Sequence, residues 1–286
     1  MEQRTVVITG ANAGIGKETA VALASAGDRV IIACRNPGKA AEAVMEIASR
    51  SASTSVESVT LDLASLASVR ACAEELNDRT DRIDVLVNNA GLILSGREVT
   101  VDGFETTFGV NHLGHFLLTN LLEDRVKAAP SPRVINLASM AHWFAVGGLA
   151  FEDLQSVRYY NAWIAYGRSK LANIYFAREL AERWRDDGVT VSSVHPGMVS
   201  TGFGADGDTS GLTDGLIDLS RPFSIGPDQG ADTSVWLATA AAGADLGRSG
   251  SYWSRRKPGL LAPWAKRPTD AARLWVESER MIDRVG

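Results

Sequence analysis

Six short apolar runs rich in β-branched residues, spaced by longer helix-like segments, constrain this chain more than any other feature. The runs are Val6–Ile8, Val30–Ile32, Val56–Leu61, Ile83–Val87, Val134–Leu137 and Val189–Val194. Their length and composition favour buried strands over helices. Between them, residues 16–26, 37–50, 65–79, 104–128 and 164–187 carry Ala, Leu, Glu, Lys and Arg at helical spacing, with turn or cap residues nearby. Strands that are apolar throughout belong to a parallel sheet covered by helices on both faces. The expected fold is therefore α/β, a single-domain Rossmann fold with a doubly wound parallel sheet of about seven strands and a ligand site at their carboxyl ends. No linker divides the chain, so residues 1–286 are expected to form one domain. The Gly/Asp/Ser-rich stretch 200–228, before a helix starting near Asp228, breaks the alternation and is expected to be a substrate lid.

Composition narrows the partners. At 45% apolar and 22% charged residues the chain can bury a sizeable core. A net charge of −5 gives no footprint for nucleic acid or for an anionic membrane surface, and favours a small-molecule partner. Only Cys34 and Cys72 are present, without the spacing of a disulfide framework, which fits a cytoplasmic setting. The first apolar run starts too early to leave room for a signal peptide, and no apolar stretch is long enough for an integral membrane segment. Four scattered histidines without ligand spacing argue against a metal site.

The first strand runs directly into Thr9-Gly10-Ala11-Asn12-Ala13-Gly14-Ile15-Gly16, within which a helix begins. Glycines let the backbone approach a pyrophosphate, and a helix N-terminus offers it unpaired N–H groups and a partial positive charge. An acidic residue ending the second strand would hold the ribose 2′-hydroxyl of NAD. Here that strand ends in Cys34, followed by Arg35 and Asn36. A carboxylate would repel a 2′-phosphate and a guanidinium can bind it, so NADP(H) is the expected cofactor unless Arg35 is only a solvated loop charge. Lys39 is a weaker candidate for the same phosphate.

The spacing Thr-Gly-x-x-x-Gly-x-Gly resembles the short-chain dehydrogenase/reductase family. By that resemblance Gly10, Asn12, Ala13, Gly14, Ile15 and Gly16 cradle the pyrophosphate, and Asp62 and Leu63 flank the adenine. Asn89, Ala90 and Gly91 pass under the adjoining ribose. From the residues alone, Asp62 reads equally well as the N-cap of the next helix, and Asn88-Asn89-Ala90-Gly91 as a turn. Pro196 and Gly197 would pack the nicotinamide, with Val199 beyond them and Thr201 reaching its carboxamide.

Tyr166 and Lys170, four apart in a helical segment, share one face. A neighbouring ammonium and an oxidised nicotinamide would both lower the tyrosine pKa from about 10 into a useful range. With Asn111 and Ser139 they resemble the family's catalytic tetrad. The resemblance implies that Tyr166 protonates the developing alkoxide and Ser139 orients the carbonyl. Lys170 would hold the nicotinamide ribose and tune Tyr166, while Asn111 supports a relay water. His195 reads as structural; His142 reads as either a loop residue or a substrate contact.

Ser139 and Tyr166 are 27 residues apart, wider than the family's usual spacing, and leave an insertion at about 142–160 that contains Phe151-Glu152-Asp153-Leu154. This segment, together with Phe108-Gly109-Val110-Asn111-His112-Leu113-Gly114-His115-Phe116, Ser169-Lys170-Leu171-Ala172-Asn173, Pro227-Asp228-Gln229-Gly230-Ala231 and Leu274-Trp275, resembles the retinol dehydrogenase and WW-domain oxidoreductase branch. The chain is expected to depart from that branch in lacking an N-terminal membrane segment and a WW module. Relatives of this branch include bacterial ketoreductases of daunorubicin-type polyketides. Trp143, Trp163, Trp253 and Trp264 read either as core or as an aromatic wall for a large apolar ligand. Arg255-Arg256-Lys257 reads as a solvated turn or a contact for an anionic group. The expected activity is NADPH-dependent reduction of a bulky apolar ketone or aldehyde. The alternatives are NADP-dependent oxidation of a retinol-like or steroid-like alcohol, and a non-enzymatic NADPH-binding sensor or scaffold. Either a monomer or a homodimer is compatible with the sequence.

Overall fold

A computed structural model describes residues 3–197, 225–241 and 247–285. Its centre is one eight-stranded sheet in the order β3-β2-β1-β4-β5-β6-β7-β8. The strands are β1 Thr5–Thr9, β2 Arg29–Cys34, β3 Val56–Thr60, β4 Val85–Asn88, β5 Arg133–Leu137, β6 Thr190–His195, β7 Ser251–Ser254 and β8 Lys257–Pro258. All pair in parallel except β8, which turns back antiparallel on β7. The two-residue β8 adds one strand to the expected sheet. Because β1 pairs with both β2 and β4, the strand order reverses there, and the crevice at its carboxyl end is where such folds bind ligands.

Side-chain alternation along the strands builds two cores. Val6, Ile8, Val30, Ile32, Val85, Val87, Ile135, Leu137 and Val194 pack beneath α1 (Gly14–Ser25), α2 (Pro37–Ser51) and α8 (Pro227–Thr239). Val7, Ile31, Leu86, Val134 and Val191 point the other way, toward α3 (Leu66–Arg79), α5 (Gly114–Leu121), α7 (Ala162–Arg183) and α9 (Pro268–Asp283). Each fully buried aliphatic side chain contributes about 1.5–3 kcal/mol relative to exposure, enough collectively to fix which face every strand residue takes.

Segment 104–128 is not the continuous helix expected. It starts as the short α4 (Thr106–Phe108), passes through a π-helical turn at Gly109–Leu113, resumes as α5 and breaks at Leu122 before α6 (Glu123–Lys127). The π turn is centred on Asn111, whose side chain bonds sideways to the loop after β4. That extra residue per turn is the local cost of re-aiming Asn111.

The C-terminal helix α9 seals α7 with an aromatic cluster: Phe116 and Trp275 lie 4.8 Å apart, and Phe116 and Phe176 5.4 Å. The Arg183 guanidinium stacks 4.2 Å over Trp275. Among the described residues no helix is long and apolar enough to cross a membrane.

Candidate active site

The turn after β1 is held open from below. Gly10 and Gly14 adopt φ of +66° and +56°, a region in which a side chain is strained. A Cβ on Gly16 would lie 2.5 Å from Asn89 Nδ2 and 2.8 Å from the Gly10 carbonyl, so α1 can approach β4 only without a side chain there. Along the turn Ala13 is exposed and Asn12 half-buried, while Ile15 packs partly on the core. The N-cap of α1, Ala13, makes no side-chain hydrogen bond, and the first turn holds no acidic residue. The first N–H groups of α1 are thus left for an outside anion, and a dinucleotide pyrophosphate fits that cradle.

Two residues support this turn in a role not read from the sequence. Cys34, buried at the end of β2, accepts hydrogen bonds from the Ala11 and Asn12 N–H groups; burial pushes its thiol up to about 11. Thr9 Oγ1 accepts from the Asn89 and Ala90 N–H groups at 2.9 and 3.0 Å, stitching the ends of β1 and β4 together. Asn89 completes the stitch by donating to the Thr9 carbonyl at 2.8 Å. Its place at the head of the glycine motif and its polarity at the end of an apolar strand were the available signals for Thr9.

Arg35 is exposed at the carboxyl end of β2, and Asn36 caps α2 by accepting from the Lys39 N–H at 3.0 Å. Asp62 is not the cap of α3: that position belongs to Ser65, and Asp62 instead accepts from the Ala64 N–H at 2.9 Å. Leu63 packs against α5, where a Cβ on Gly114 would come within 2.8 Å of its carbonyl.

Asn111 is clamped to the β4 loop, accepting from the Leu92 N–H at 2.8 Å and donating to the Leu92 carbonyl at 2.9 Å. Its amide also donates to Ser169 Oγ, which donates in turn to the Tyr166 carbonyl. A Cβ on Gly91 would sit 3.1 Å from both Asn111 Oδ1 and Lys170 Nζ, so Gly91 keeps clear the space where the two side chains meet. Lys170 donates to the Leu137 carbonyl at 3.2 Å and lies 5.5 Å from the Tyr166 ring centroid. Ser139 is hydrogen-bonded to the Tyr166 phenol. The four residues expected to carry chemistry therefore converge from the π turn, the end of β5 and α7.

Their electrostatics differ from expectation in one respect. Burial dominates, raising the phenol to about 12, with the Ser139 bond pulling the other way. Burial lowers Lys170 to about 8. A phenol so raised is a proton donor throughout the physiological range.

His195, at the end of β6, is held neutral by burial, its pKa lowered to about 4, and its Nδ1 accepts from the Met140 and Gly197 N–H groups at 3.4 Å. Gly197, with φ of +98°, follows Pro196 and lies under Ile225. Val199, Thr201 and most of the expected 200–228 lid lie outside the described residues. His142 is fully buried: Nδ1 bonds the Ser139 carbonyl at 2.7 Å and Nε2 accepts from the Ala262 N–H at 3.2 Å. It ties the serine loop to the C-terminal segment. Trp253 is core, packed on Trp236, whereas Trp143, Trp163 and Trp264 gather around the serine loop with Phe144.

A doubly wound sheet with a pyrophosphate cradle at its switch point, and a Ser–Tyr–Lys group on the same carboxyl edge, defines a nicotinamide-dependent oxidoreductase acting on CH–OH and C=O groups. The short chain dehydrogenase family model matches residues 4–151 and 152–209, and the chain belongs to that family, in its retinol dehydrogenase-like branch. It is 43% identical to retinol dehydrogenase 13 of Homo sapiens over 283 residues, 98% of this chain and 84% of that protein. The crystal structure of an uncharacterized protein from Mycobacterium paratuberculosis, 36% identical, superposes with a TM-score of 0.78 over 98% of this chain and 94% of the other. An RhlG/NADP active-site complex from Pseudomonas aeruginosa, 26% identical, does so with a TM-score of 0.69 over 88% and 94%.

Proposed function

We propose that the protein is an NADP(H)-dependent reductase of bulky apolar ketones or aldehydes. The observation that carries this reading is the convergence of Ser139, hydrogen-bonded to the Tyr166 phenol, with Lys170 and Asn111 at the carboxyl edge of the sheet, where Tyr166 can serve as general acid. The nicotinamide, when bound, supplies the hydride to the carbonyl carbon. Tyr166 Oη delivers the proton to the carbonyl oxygen, and Ser139 Oγ orients that oxygen. Lys170, beside Gly91, holds the nicotinamide ribose, and Asn111 keeps the β4 loop beneath it in register. Gly10, Gly14 and Gly16 admit the pyrophosphate, with Asp62, Leu63, Asn89 and Ala90 along the adenosine half.

Arg35 supports the choice of NADP(H): it is exposed just after β2, where an acidic residue would select against a 2′-phosphate, and the strand ends instead in the buried Cys34. The rim supports an apolar substrate. Met140 and Phe144, immediately beyond Ser139, are 51% and 52% exposed, and Trp143 36%. Apolar surface of this size beside a polar reaction centre suits a large hydrophobic ligand.

The identity with retinol dehydrogenase 13 favours a second reading, NADP-dependent oxidation of a retinol-like alcohol by the same residues in reverse. Both are tested by following absorbance at the reduced-nicotinamide band, with NADPH or NADH against retinal, trans-1-decalone and steroid ketones, and NADP⁺ against the matching alcohols. Faster turnover of NADPH with a bulky carbonyl supports the first reading; turnover confined to the alcohols replaces it with the second. Tight NADPH binding without turnover of any pair counts against both.

A further inference from the structure

Lys170 is held from behind by a chain of buried polar groups that reaches the C-terminal helix. The Leu137 carbonyl accepts two bonds, from Lys170 Nζ at 3.2 Å and from Asn173 Nδ2 at 2.9 Å. A carbonyl only accepts, which fixes the Asn173 amide with its nitrogen toward Leu137. Its Oδ1 then faces His112, with which it interacts, although neither Asn173 Oδ1 nor His112 Nδ1 has a partner at full hydrogen-bond geometry. On its other side, His112 Nε2 is 2.9 Å from Ser278 Oγ on α9. All three side chains are at most 3% exposed.

Buried among Phe108, Phe116 and Phe176, His112 is neutral and has one donor and one acceptor nitrogen. Asn173 Oδ1 needs a donor, so the proton belongs on Nδ1, and Nε2 accepts from the Ser278 hydroxyl. One direction of donation therefore runs from Ser278 through His112 and Asn173 to the carbonyl shared with Lys170. We propose that Asn173, His112 and Ser278 are positioning residues for Lys170, fixing the Leu137 carbonyl that sets where its ammonium sits beside Gly91. This rests on the reading that Lys170 serves catalysis. It adds a specific task for α9, coupling the seal of the fold to the reaction centre through buried polar contacts as well as packing.

The test combines kinetics with an activity-free measurement. Long-range ¹H–¹⁵N spectra of the wild-type protein, with His112→Phe for assignment, are expected to show His112 protonated at Nδ1; protonation at Nε2 overturns the proposal. With NADPH and trans-1-decalone or retinal, Asn173→Leu is expected to lower kcat about 3- to 10-fold, the range of one hydrogen bond, and to leave the carbonyl KM within about twofold. Ser278→Ala, which changes one atom and disturbs little packing, is expected to lower kcat about 2- to 4-fold in the same pattern. The His112→Phe effect should vanish in the Asn173→Leu background, since both cut one chain. Unchanged kcat in folded Ser278→Ala, a loss expressed only in KM, or full additivity of the double variant overturns the inference. Lys170→Met separates the two levels: if it retains full turnover, the functional reading fails; if it is inactive while the other variants match wild type, only the positioning chain fails.

Discussion

Burial pushes the Tyr166 phenol up to about 12, so near neutrality it holds its proton in nearly every molecule. Removing the hydroxyl that carries that proton tests its role most cleanly. Tyr166→Phe should lower kcat for carbonyl reduction on the order of 10²- to 10⁴-fold, the usual contribution of a positioned general acid, with NADPH affinity largely retained. Turnover equal to wild type would take Tyr166 out of the reaction. Arg35 carries a separable prediction, because it is exposed at the carboxyl end of β2. Arg35→Asp exchanges an attraction for a 2′-phosphate for a repulsion and creates an acceptor for the ribose hydroxyls. Charged hydrogen bonds of about 1.5–3 kcal/mol correspond to a shift of roughly 10- to 150-fold in the NADPH/NADH ratio of kcat/KM. An unmoved ratio would reduce Arg35 to a surface charge.

At the scale of elements, the approach of α1 to β4 depends on the missing side chain at Gly16. Gly16→Ala places a carbon 2.5 Å from Asn89 Nδ2 and 2.8 Å from a backbone oxygen, and the latter cannot swing away. Displacement of the cradle by overpacking, costing about 1–3 kcal/mol, should weaken NADPH binding roughly 5- to 150-fold as read by cofactor fluorescence. Wild-type affinity in that variant would mean the turn does not contact the pyrophosphate. The glycine turn was legible in the sequence, as were β1 to β6 and α7, because each is an apolar or helical run long enough for its periodicity to show. β7 was not, since Ser-Tyr-Trp-Ser is four residues with polar ends and gains strand character only beside β6. Segment 104–128 kept its helical pattern through the π turn, which depends on a bond from Asn111 to Leu92 that no local signal encodes. Cys34, His142 and Asn173 were opaque for the same reason: each works through a partner on a different element.

Over the whole molecule, neutral buried histidines make stability depend on pH in a direction that follows from where the protons bind. Burial holds His112 and His115 down to about 3, whereas an unfolded histidine titrates near pH 6.5. The unfolded chain therefore binds more protons between these values, so the stability contribution is fully present above about pH 6.5 and is lost progressively toward pH 3. At pH 5 the loss is about 2 kcal/mol for each histidine, or about 4 kcal/mol for the pair, on the order of 10 °C in Tm for a domain of this size. His112→Phe isolates half of it. Phenylalanine suits the ring cluster formed by Phe108, Phe116 and Phe176 but removes the titrating group, so the variant should lose stability at pH 7.5, where the Ser278 bond is gone, yet fall less steeply on acidification. Thermal melts at pH 7.5, 6.5 and 5 for both proteins should converge as the pH drops. Parallel curves would show that His112 is not held neutral by the fold, and would remove the premise of a fixed Nδ1–H donor toward Asn173 as well.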